Sequence, residues 1–208
     1  MAGPAFYPPP LLPLPATVAA VAIGASAGGV QALLRLFADL PVDFRLSLFV
    51  VVHMPEDRSS GLSDLFAQRL RIPVREAADK MPVERGTLYF APPGYHLQLE
   101  PGGSFSLSCD PPLHFSRPSI DVLFETAAHA YGAALAALLL TGASADGAEG
   151  LATVGRLGGF TAVQDPAEAQ IPTMPQAAID LRRPDRILPL AGLSALLAAL
   201  NELPSSPC

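Results

Sequence analysis

The sequence VAAVAIGASAGG, residues 18–29, joins a continuous apolar run to a glycine-rich turn. The apolar part has the length of a buried β-strand. The residues that follow, Val30 to Leu40, place apolar side chains at helical spacing. A strand, a glycine-rich turn and a helix in this order predict the first unit of an α/β domain.

The same alternation continues along the chain. Apolar runs predict strands at 46–52, 87–90, 134–140 and 160–163, with an edge strand at 187–188. Helical spacing predicts helices at 30–40, about 60–70, 119–131, after Asp146, 175–181 and 193–200. Residues 95–99 and 105–108 alternate around a Gly102-Gly103 turn, as in an antiparallel hairpin. We therefore predict an α/β fold: a doubly wound, mostly parallel sheet with helices on both faces and an inserted antiparallel β-hairpin.

Composition narrows the choice of partners. The chain has 208 residues, half of them hydrophobic, and a net charge of −6. An acidic chain without a run of Lys or Arg repels phosphate backbones, so we expect no nucleic-acid partner. Cys109 and Cys208 are too few for a disulfide framework or a metal-ligand set. We expect two reduced thiols and a cytoplasmic location.

The chain ends differ from its middle. Residues 1–16 contain six prolines and no Lys or Arg. We predict a disordered Pro-rich arm at 1–16, a folded domain at 17–203 and a flexible tail at 204–208. The arm lacks the basic start and unbroken apolar run of a signal peptide. The apolar segment 133–140 is much shorter than the roughly 20 residues that cross a bilayer, so we expect no membrane insertion.

Three predicted strand ends carry polar side chains: Ser26, His53 and, just beyond Thr141-Gly142, Asp146. Parallel sheets bring the carboxyl ends of their strands to one edge, where ligands bind. A serine needs a base to take its proton, a histidine can do so near neutral pH, and a carboxylate fixes the imidazole. Backbone N–H groups in the glycine turn could stabilise an oxyanion. We predict a Ser-His-Asp triad that needs no metal or organic cofactor.

Two other motif interpretations fit less well. Gly24-x-Ser26-x-Gly28 matches the nucleophile elbow of α/β-hydrolases, but those enzymes have the acid before the histidine. The turn also resembles a dinucleotide-binding loop in which Ser26 replaces the middle glycine. The second strand then ends in His53 instead of the acidic residue that would bind ribose.

The remaining polar residues have simpler interpretations. We expect His96, His114 and His129 to be structural or surface residues. The predicted helix at 119–131 places Asp121, Glu125 and His129 on one face. Ser119 and Asp121 are expected to cap and start that helix. Taken alone, Asp146 before Gly147 would also fit a helix N-cap.

Separated blocks along the chain resemble the catalytic domain of the protein-glutamate methylesterases of bacterial chemotaxis, the CheB family. The blocks, in chain order, are IGASAGG (23–29), VVVHMP (50–55), YFAPPGYHL (89–97), FSRPSIDVLFETAA (115–128), LLTGASADGAEGL (139–151) and AVQDPAEAQIPTMPQAAI (162–179). Together they span nearly all of the chain after the proline-rich arm.

The resemblance implies hydrolysis of glutamate γ-methyl esters on the cytoplasmic helices of methyl-accepting chemotaxis receptors, with release of methanol. Some members also deamidate receptor glutamines by the same acyl chemistry. By motif, Ser26 is implied as the nucleophile, His53 as the general base and Asp146 as the orienting acid. These are the three residues that the strand ends had already indicated.

The sequence departs from the family pattern at three places. Members commonly have Thr at the position of Ala27, and Met-Gly at the positions of Ala143-Ser144. The second turn is thought to supply an oxyanion N–H, and Ser144 carries a Cβ where glycine permits a positive φ. Typical members also carry a receiver domain before the esterase. We therefore expect a stand-alone esterase, constitutively open or regulated by a separate signalling protein; the alternative is a catalytically weak or inactive interaction module.

Overall fold

The computed structural model describes residues 14–54 and 61–204. Its strands in chain order are β1 Ala20–Ala25, β2 Ser47–Val52, β3 Val74–Glu76, β4 Leu88–Phe90, β5 His96–Glu100, β6 Ser104–Ser108, β7 Leu135–Leu139, β8 Phe160–Gln164 and β9 Arg186–Leu188. Its helices are α1 Gly29–Leu36, α2 Leu62–Ala67, α3 Ile120–Tyr131, α4 Ala148–Arg156, α5 Thr173–Leu181 and α6 Leu190–Asn201.

Seven strands form one parallel sheet in the order β3-β4-β2-β1-β7-β8-β9, and β5 and β6 form a separate antiparallel hairpin. β1 lies at the centre, with Ala25 paired to Val52 of β2 and Gly24 paired to Leu139 of β7. The strands β2, β3 and β4 lie on one side of β1, and the later strands β7, β8 and β9 lie on the other side. The residues directly after β1, β2 and β7 therefore lie at the switch point, where open α/β sheets bind ligands.

The sheet is covered on both faces, which is why its strands are apolar throughout. The first face is the side covered by α1, α2 and α6, and it receives Val21 and Ile23 of β1. The second face is the side covered by α3, α4, α5 and the hairpin, and it receives Ala20 and Ala22. Alternate residues of one strand thus fill two separate cores.

The predicted fold class is confirmed, including the inserted hairpin. The strand β3 was not predicted, because it has only three residues, lies at the sheet edge and is partly exposed. Leu157, predicted inside a helix, follows the end of α4 and is exposed.

Some predictions fall outside the described residues. They concern most of the Pro-rich arm, the tail from residue 205, and the start of the helix predicted at about 60–70. Within residues 14–54 and 61–204, no helix combines the length and apolar character that a membrane crossing requires.

Candidate active site

Ser26 lies directly after β1, in the turn that leads into α1. Its backbone N–H donates to the carbonyl of Thr141 at 2.9 Å, and its carbonyl accepts from Gly29 N–H at 2.7 Å. The Thr141 hydroxyl donates to the carbonyl of Ala27 at 2.9 Å. These bonds join the turn to the end of β7 and fix the backbone of a half-buried serine.

Two glycines allow the close packing around this turn. Gly28 has a φ of 80°, and a Cβ there would lie 2.6 Å from Gln170 Oε1. A Cβ on Gly142 would lie 2.5 Å from the Met174 side chain and 2.9 Å from Ser26 Cβ. Side chains at these positions would displace the turn or its neighbours.

His53 follows β2 and lies beside the end of β1. Its backbone N–H donates to the carbonyl of Ala25 at 3.1 Å. Its Nε2 lies 2.6 Å from Asp146 Oδ2, and the two side chains are 12% and 0% exposed. Because Ser26 and His53 each come one residue after the paired residues Ala25 and Val52, they are neighbours across adjacent strands, which lie about 4.8 Å apart.

Asp146 accepts four hydrogen bonds in a fully buried position. Oδ2 accepts from His53 and from Ile120 N–H at 2.7 Å, and Oδ1 accepts from the Ser119 hydroxyl at 2.7 Å and from Asp121 N–H at 3.1 Å. The carboxylate therefore caps the amino end of α3, where the helix dipole favours negative charge. The sequence had allowed that Asp146 caps the helix after it; instead it caps α3, and α4 begins at Ala148 with Gly147 as its N-cap residue and no side-chain cap.

These bonds determine the charge of Asp146. Burial alone would raise its pKa, but hydrogen bonds from His53, Ile120, Ser119 and Asp121 outweigh that effect and lower the pKa below its usual value. An ionised carboxylate can only accept, so His53 Nε2 carries a proton, and in the neutral imidazole Nδ1 is then the nitrogen with a lone pair. The basic nitrogen of this pair is therefore Nδ1.

Nδ1 of His53 lies 3.3 Å from the hydroxyl of Ser116. Leu113 and Ser116 exchange two backbone hydrogen bonds across a tight turn, in which His114 and Phe115 have φ values of 49° and 61°. Within the described part of the chain, no hydrogen bond joins Ser26 to His53. His53 therefore contacts Asp146 through Nε2 and lies on the strand next to that of Ser26. Its Nδ1, the nitrogen that would face Ser26 in a triad, contacts the hydroxyl of Ser116 instead.

Backbone donors are available beside Ser26. Among the described residues, the N–H groups of Ala27 and Gly28 have no hydrogen-bond partner. Gly142 N–H is already used, because it donates to the Ile171 carbonyl at 3.1 Å. The φ angle of Ser144 is not positive, so its Cβ does not strain the backbone of this turn.

Asp121 is buried, which corrects its predicted place on a polar helix face. Glu125 and His129 are exposed as that face requires, but Asp121 is only 5% exposed and accepts from Gly150 N–H at 2.7 Å. Burial raises the pKa of Asp121 to about 7, and the negative charge of Asp146 adds to the shift.

Among the described residues, one cluster brings together three side chains of the kinds that bind metal ions: His114, Asp121 and Asp146. Their ligand atoms lie within 4.8 Å of one another. His114 Nε2 lies 3.4 Å from Asp121 Oδ2. Four donors already surround the carboxylate of Asp146, which leaves it poorly suited to a cation. The donor set therefore favours an orienting role for Asp146 over a metal site.

The sequence did not reveal that Ser116, Ser119 and His96 would surround the histidine-carboxylate pair. His96 is a buried structural residue, in agreement with its prediction, and His114 is half exposed. The only available signal was that Ser116 and Ser119 lie in the family block at 115–128. A groove of about 470 Å³ between α1 and α6, lined by Arg35, Asp39 and Ser194, contains none of the three predicted catalytic residues.

Comparisons with known proteins identify the family of this chain. The family profile described as CheB methylesterase matches residues 21–197. A relative from Leptospira interrogans is 38% identical over 88% of this chain and 95% of its own length. A protein-glutamate methylesterase/protein-glutamine glutaminase from Anaeromyxobacter dehalogenans is 40% identical over 90% of this chain, which spans only 54% of that relative.

A solved structure extends the likeness to three dimensions. The crystal structure of the Thermotoga maritima CheB methylesterase catalytic domain superposes with a TM-score of 0.84 at 30% identity, covering 88% of this chain and 99% of the other. The family profile covers most of the chain, and the relative from Leptospira interrogans is matched over nearly its whole length. This chain therefore belongs to the CheB methylesterase family.

Proposed function

We propose that this chain is a serine esterase that hydrolyses glutamate γ-methyl esters on the cytoplasmic helices of methyl-accepting chemotaxis receptors. The observation that carries the proposal is the 2.6 Å contact between His53 Nε2 and the buried Asp146, beside Ser26 at the switch point of the sheet. Family membership supports the reaction class, since relatives carry the name protein-glutamate methylesterase.

In the first half of the reaction, Ser26 Oγ attacks the carbonyl carbon of the ester and its proton passes to His53 Nδ1. Asp146 holds the imidazolium through Nε2 and keeps the ring in the required tautomer. The free N–H groups of Ala27 and Gly28 are the donors best placed to bind the oxyanion. Breakage of the carbon–methoxy bond then releases methanol, which takes the proton from Nδ1.

In the second half, water attacks the acyl-enzyme and gives its proton to Nδ1. Ser26 leaves with that proton, and the product is a glutamic acid side chain, which releases its remaining proton to solvent and becomes the carboxylate. A glutamine side chain would follow the same course with ammonia as the leaving group, so deamidation belongs to the same proposal. Ser116 must first give up its contact with Nδ1, because one lone pair cannot serve two hydroxyl groups.

The contact between Ser116 and Nδ1 also favours a second candidate, an interaction module that keeps the fold without hydrolysing esters. In such a module the histidine would stay engaged by Ser116 and Ser26 would remain unreactive. The two candidates differ in whether Ser26 forms a covalent acyl bond.

The deciding experiment measures methanol release from a methylated receptor signalling domain, together with labelling of Ser26 by a fluorophosphonate. We expect wild type to release methanol and to be labelled, and Ser26→Ala to do neither. Ser194→Ala is the matched control, because Ser194 lines the groove between α1 and α6. Folded wild-type protein that neither labels nor releases methanol would overturn the esterase proposal and favour the module.

A further inference from the structure

Ser119 occupies the N-cap position of α3, but its hydroxyl does not cap that helix. It is fully buried and donates to Asp146 Oδ1 at 2.7 Å. The capping is done by Asp146, which accepts from the N–H groups of Ile120 and Asp121. A serine in the best position for local capping therefore directs its only side-chain donor at the carboxylate that contacts the histidine.

The backbone of Ser119 is itself held by a buried imidazole. Ser119 N–H donates to His96 Nδ1 at 3.1 Å, and His96 Nε2 lies 3.2 Å from the carbonyl of Pro111. Because a carbonyl only accepts, Nε2 carries the proton and Nδ1 is left to accept from Ser119. His96 is 1% exposed, so water does not compete for this pair of bonds.

The consequence for Asp146 is geometric. Oδ1 is held by the Ser119 hydroxyl and Asp121 N–H, whereas Oδ2 is held by Ile120 N–H and His53. A carboxylate fixed at Oδ1 cannot rotate, so its other oxygen keeps a constant direction toward Nε2. Of the four donors, Ser119 is the only side chain besides His53 itself.

We propose that Ser119 is a positioning residue of the esterase, which keeps the Asp146 side chain aimed at His53, and that His96 fixes Ser119 for this purpose. The inference rests on the proposed function for its kinetic consequence, but its structural consequence can be measured without turnover. Removing the hydroxyl leaves a buried carboxylate one donor short, which weakens its hold on the imidazole.

The test compares Ser119→Cys with Ser119→Thr. Cysteine has nearly the same shape but is a weak donor, whereas threonine keeps the hydroxyl. Ser47→Cys is the matched control. Ser47 is also buried, but it lies at the amino end of β2, away from the candidate site, and donates to the Glu84 carbonyl. Fluorophosphonate titration counts the competent sites in each preparation. Because kcat is then expressed per competent site, a loss of folded protein does not change its value.

We expect S119C to lower kcat per titrated site by about 10- to 100-fold, the loss typical of one hydrogen bond to a charged group, with KM nearly unchanged. S119T recovers most of that loss, and S47C matches wild type. A purely structural role would change the number of competent sites and leave kcat per site alone. Wild-type kcat per site in S119C would overturn the inference.

The second readout is the proton resonance of His53 Nε2–H, observed by nuclear magnetic resonance with ¹⁵N-labelled histidine. A short bond to a carboxylate moves this resonance far downfield, and we expect it to move back upfield in S119C but not in S47C. This readout separates the two proposals. Inactive wild type with the expected shift would overturn the esterase function and retain the positioning role, whereas an unchanged resonance in S119C would overturn the positioning role.

Discussion

The two faces of the sheet bury different kinds of residue. The core of the first face, against α1, α2 and α6, is built from hydrophobic side chains such as Leu33, Phe66 and Leu197. Among the described residues, the buried carboxyl and imidazole groups are His96, Asp121 and Asp146, and all three contact the residues of the second face. A buried charge is costly unless its polar atoms are hydrogen-bonded, so the ionisable groups of the second face require an ordered hydrogen-bond network.

The first face therefore relies on apolar packing, whereas the second face combines apolar packing with the hydrogen bonds of the histidine–carboxylate pair. Apolar packing on the first face tolerates moderate changes of shape and contributes to the free energy of unfolding. The network on the second face fixes directions and protonation states, which matter to a reaction more than to folding. Substitutions on the two faces should therefore produce different phenotypes.

The largest effect should come from Asp146→Asn on the second face. Each Asp146 oxygen accepts from a backbone N–H, so either orientation of the new amide sets its N–H₂ group against one of these donors. The substitution also removes the negative charge that would hold the imidazolium of His53. The corresponding substitution lowers kcat by about 10⁴-fold in a serine protease, and we expect a loss of about 10³- to 10⁴-fold in methanol release. A variant with more than a tenth of wild-type kcat would contradict the assigned role of Asp146.

The next effect should come from Leu197→Ala on the first face. Leu197 is fully buried in α6, and the cavity should lower the free energy of unfolding by about 2–5 kcal/mol. Chemical denaturation measures this loss, while kcat per titrated site stays at the wild-type value. Leu157→Ala, at an exposed position, is the control and should change stability by less than about 0.5 kcal/mol. A large fall in kcat per site for Leu197→Ala would show that the two faces are coupled.

Asp121→Asn should remove a pH dependence from the second face. The pKa of Asp121 is raised from 3.8 to about 7 in the folded chain, so the folded state binds a proton that the unfolded state has lost. The stabilising contribution of that proton is complete below pH 4 and is lost as the pH rises through 7. We expect the variant to be more stable than wild type by about 1–3 kcal/mol at pH 8, and equal or less stable at pH 4.

The measurement for Asp121 is a series of denaturation curves between pH 4 and pH 8. Asp146 has the opposite sign: its pKa is lowered, so its contribution is present above pH 4 and is lost on further acidification. Parallel curves for wild type and Asp121→Asn across the whole range would contradict the raised pKa.

The smallest effect should come from Ser116→Ala. Its hydroxyl competes with Ser26 for His53 Nδ1, and a hydrogen bond of ordinary strength corresponds to about a 2- to 10-fold change in an equilibrium. We expect the rate of fluorophosphonate labelling at Ser26 to rise by that factor. A slower rate would mean that Ser116 assists the reaction instead of restraining His53.

The sequence was informative wherever one local pattern determined the outcome. Continuous apolar runs indicated β1, β2 and β7, and Gly102-Gly103 indicated the hairpin, because periodicity and turn residues act locally. β3 gave no such signal, since three partly exposed edge residues have no apolar run. The places of Ser26, His53 and Asp146 at the sheet edge followed from strand order, although their catalytic roles remain predictions.

What could not be predicted depends on contacts between distant segments. Asp121 looked like an exposed helix residue, but Gly150 of α4 and Asp146 enclose it. The contact of Ser116 with His53 depends on a tight turn whose left-handed residues, His114 and Phe115, are neither glycine nor asparagine. Periodicity does not encode such contacts, because they arise only when the layers pack.

The capping of α3 by Asp146 links two distant parts of the chain. The amino end of this helix is completed by a residue 25 positions beyond Asp121, in the segment that follows β7. Opening the loop that carries Asp146 therefore uncovers the amides of Ile120 and Asp121 in the same event. Hydrogen–deuterium exchange at these two amides would report, residue by residue, how often the folded chain loses the carboxylate that holds its histidine.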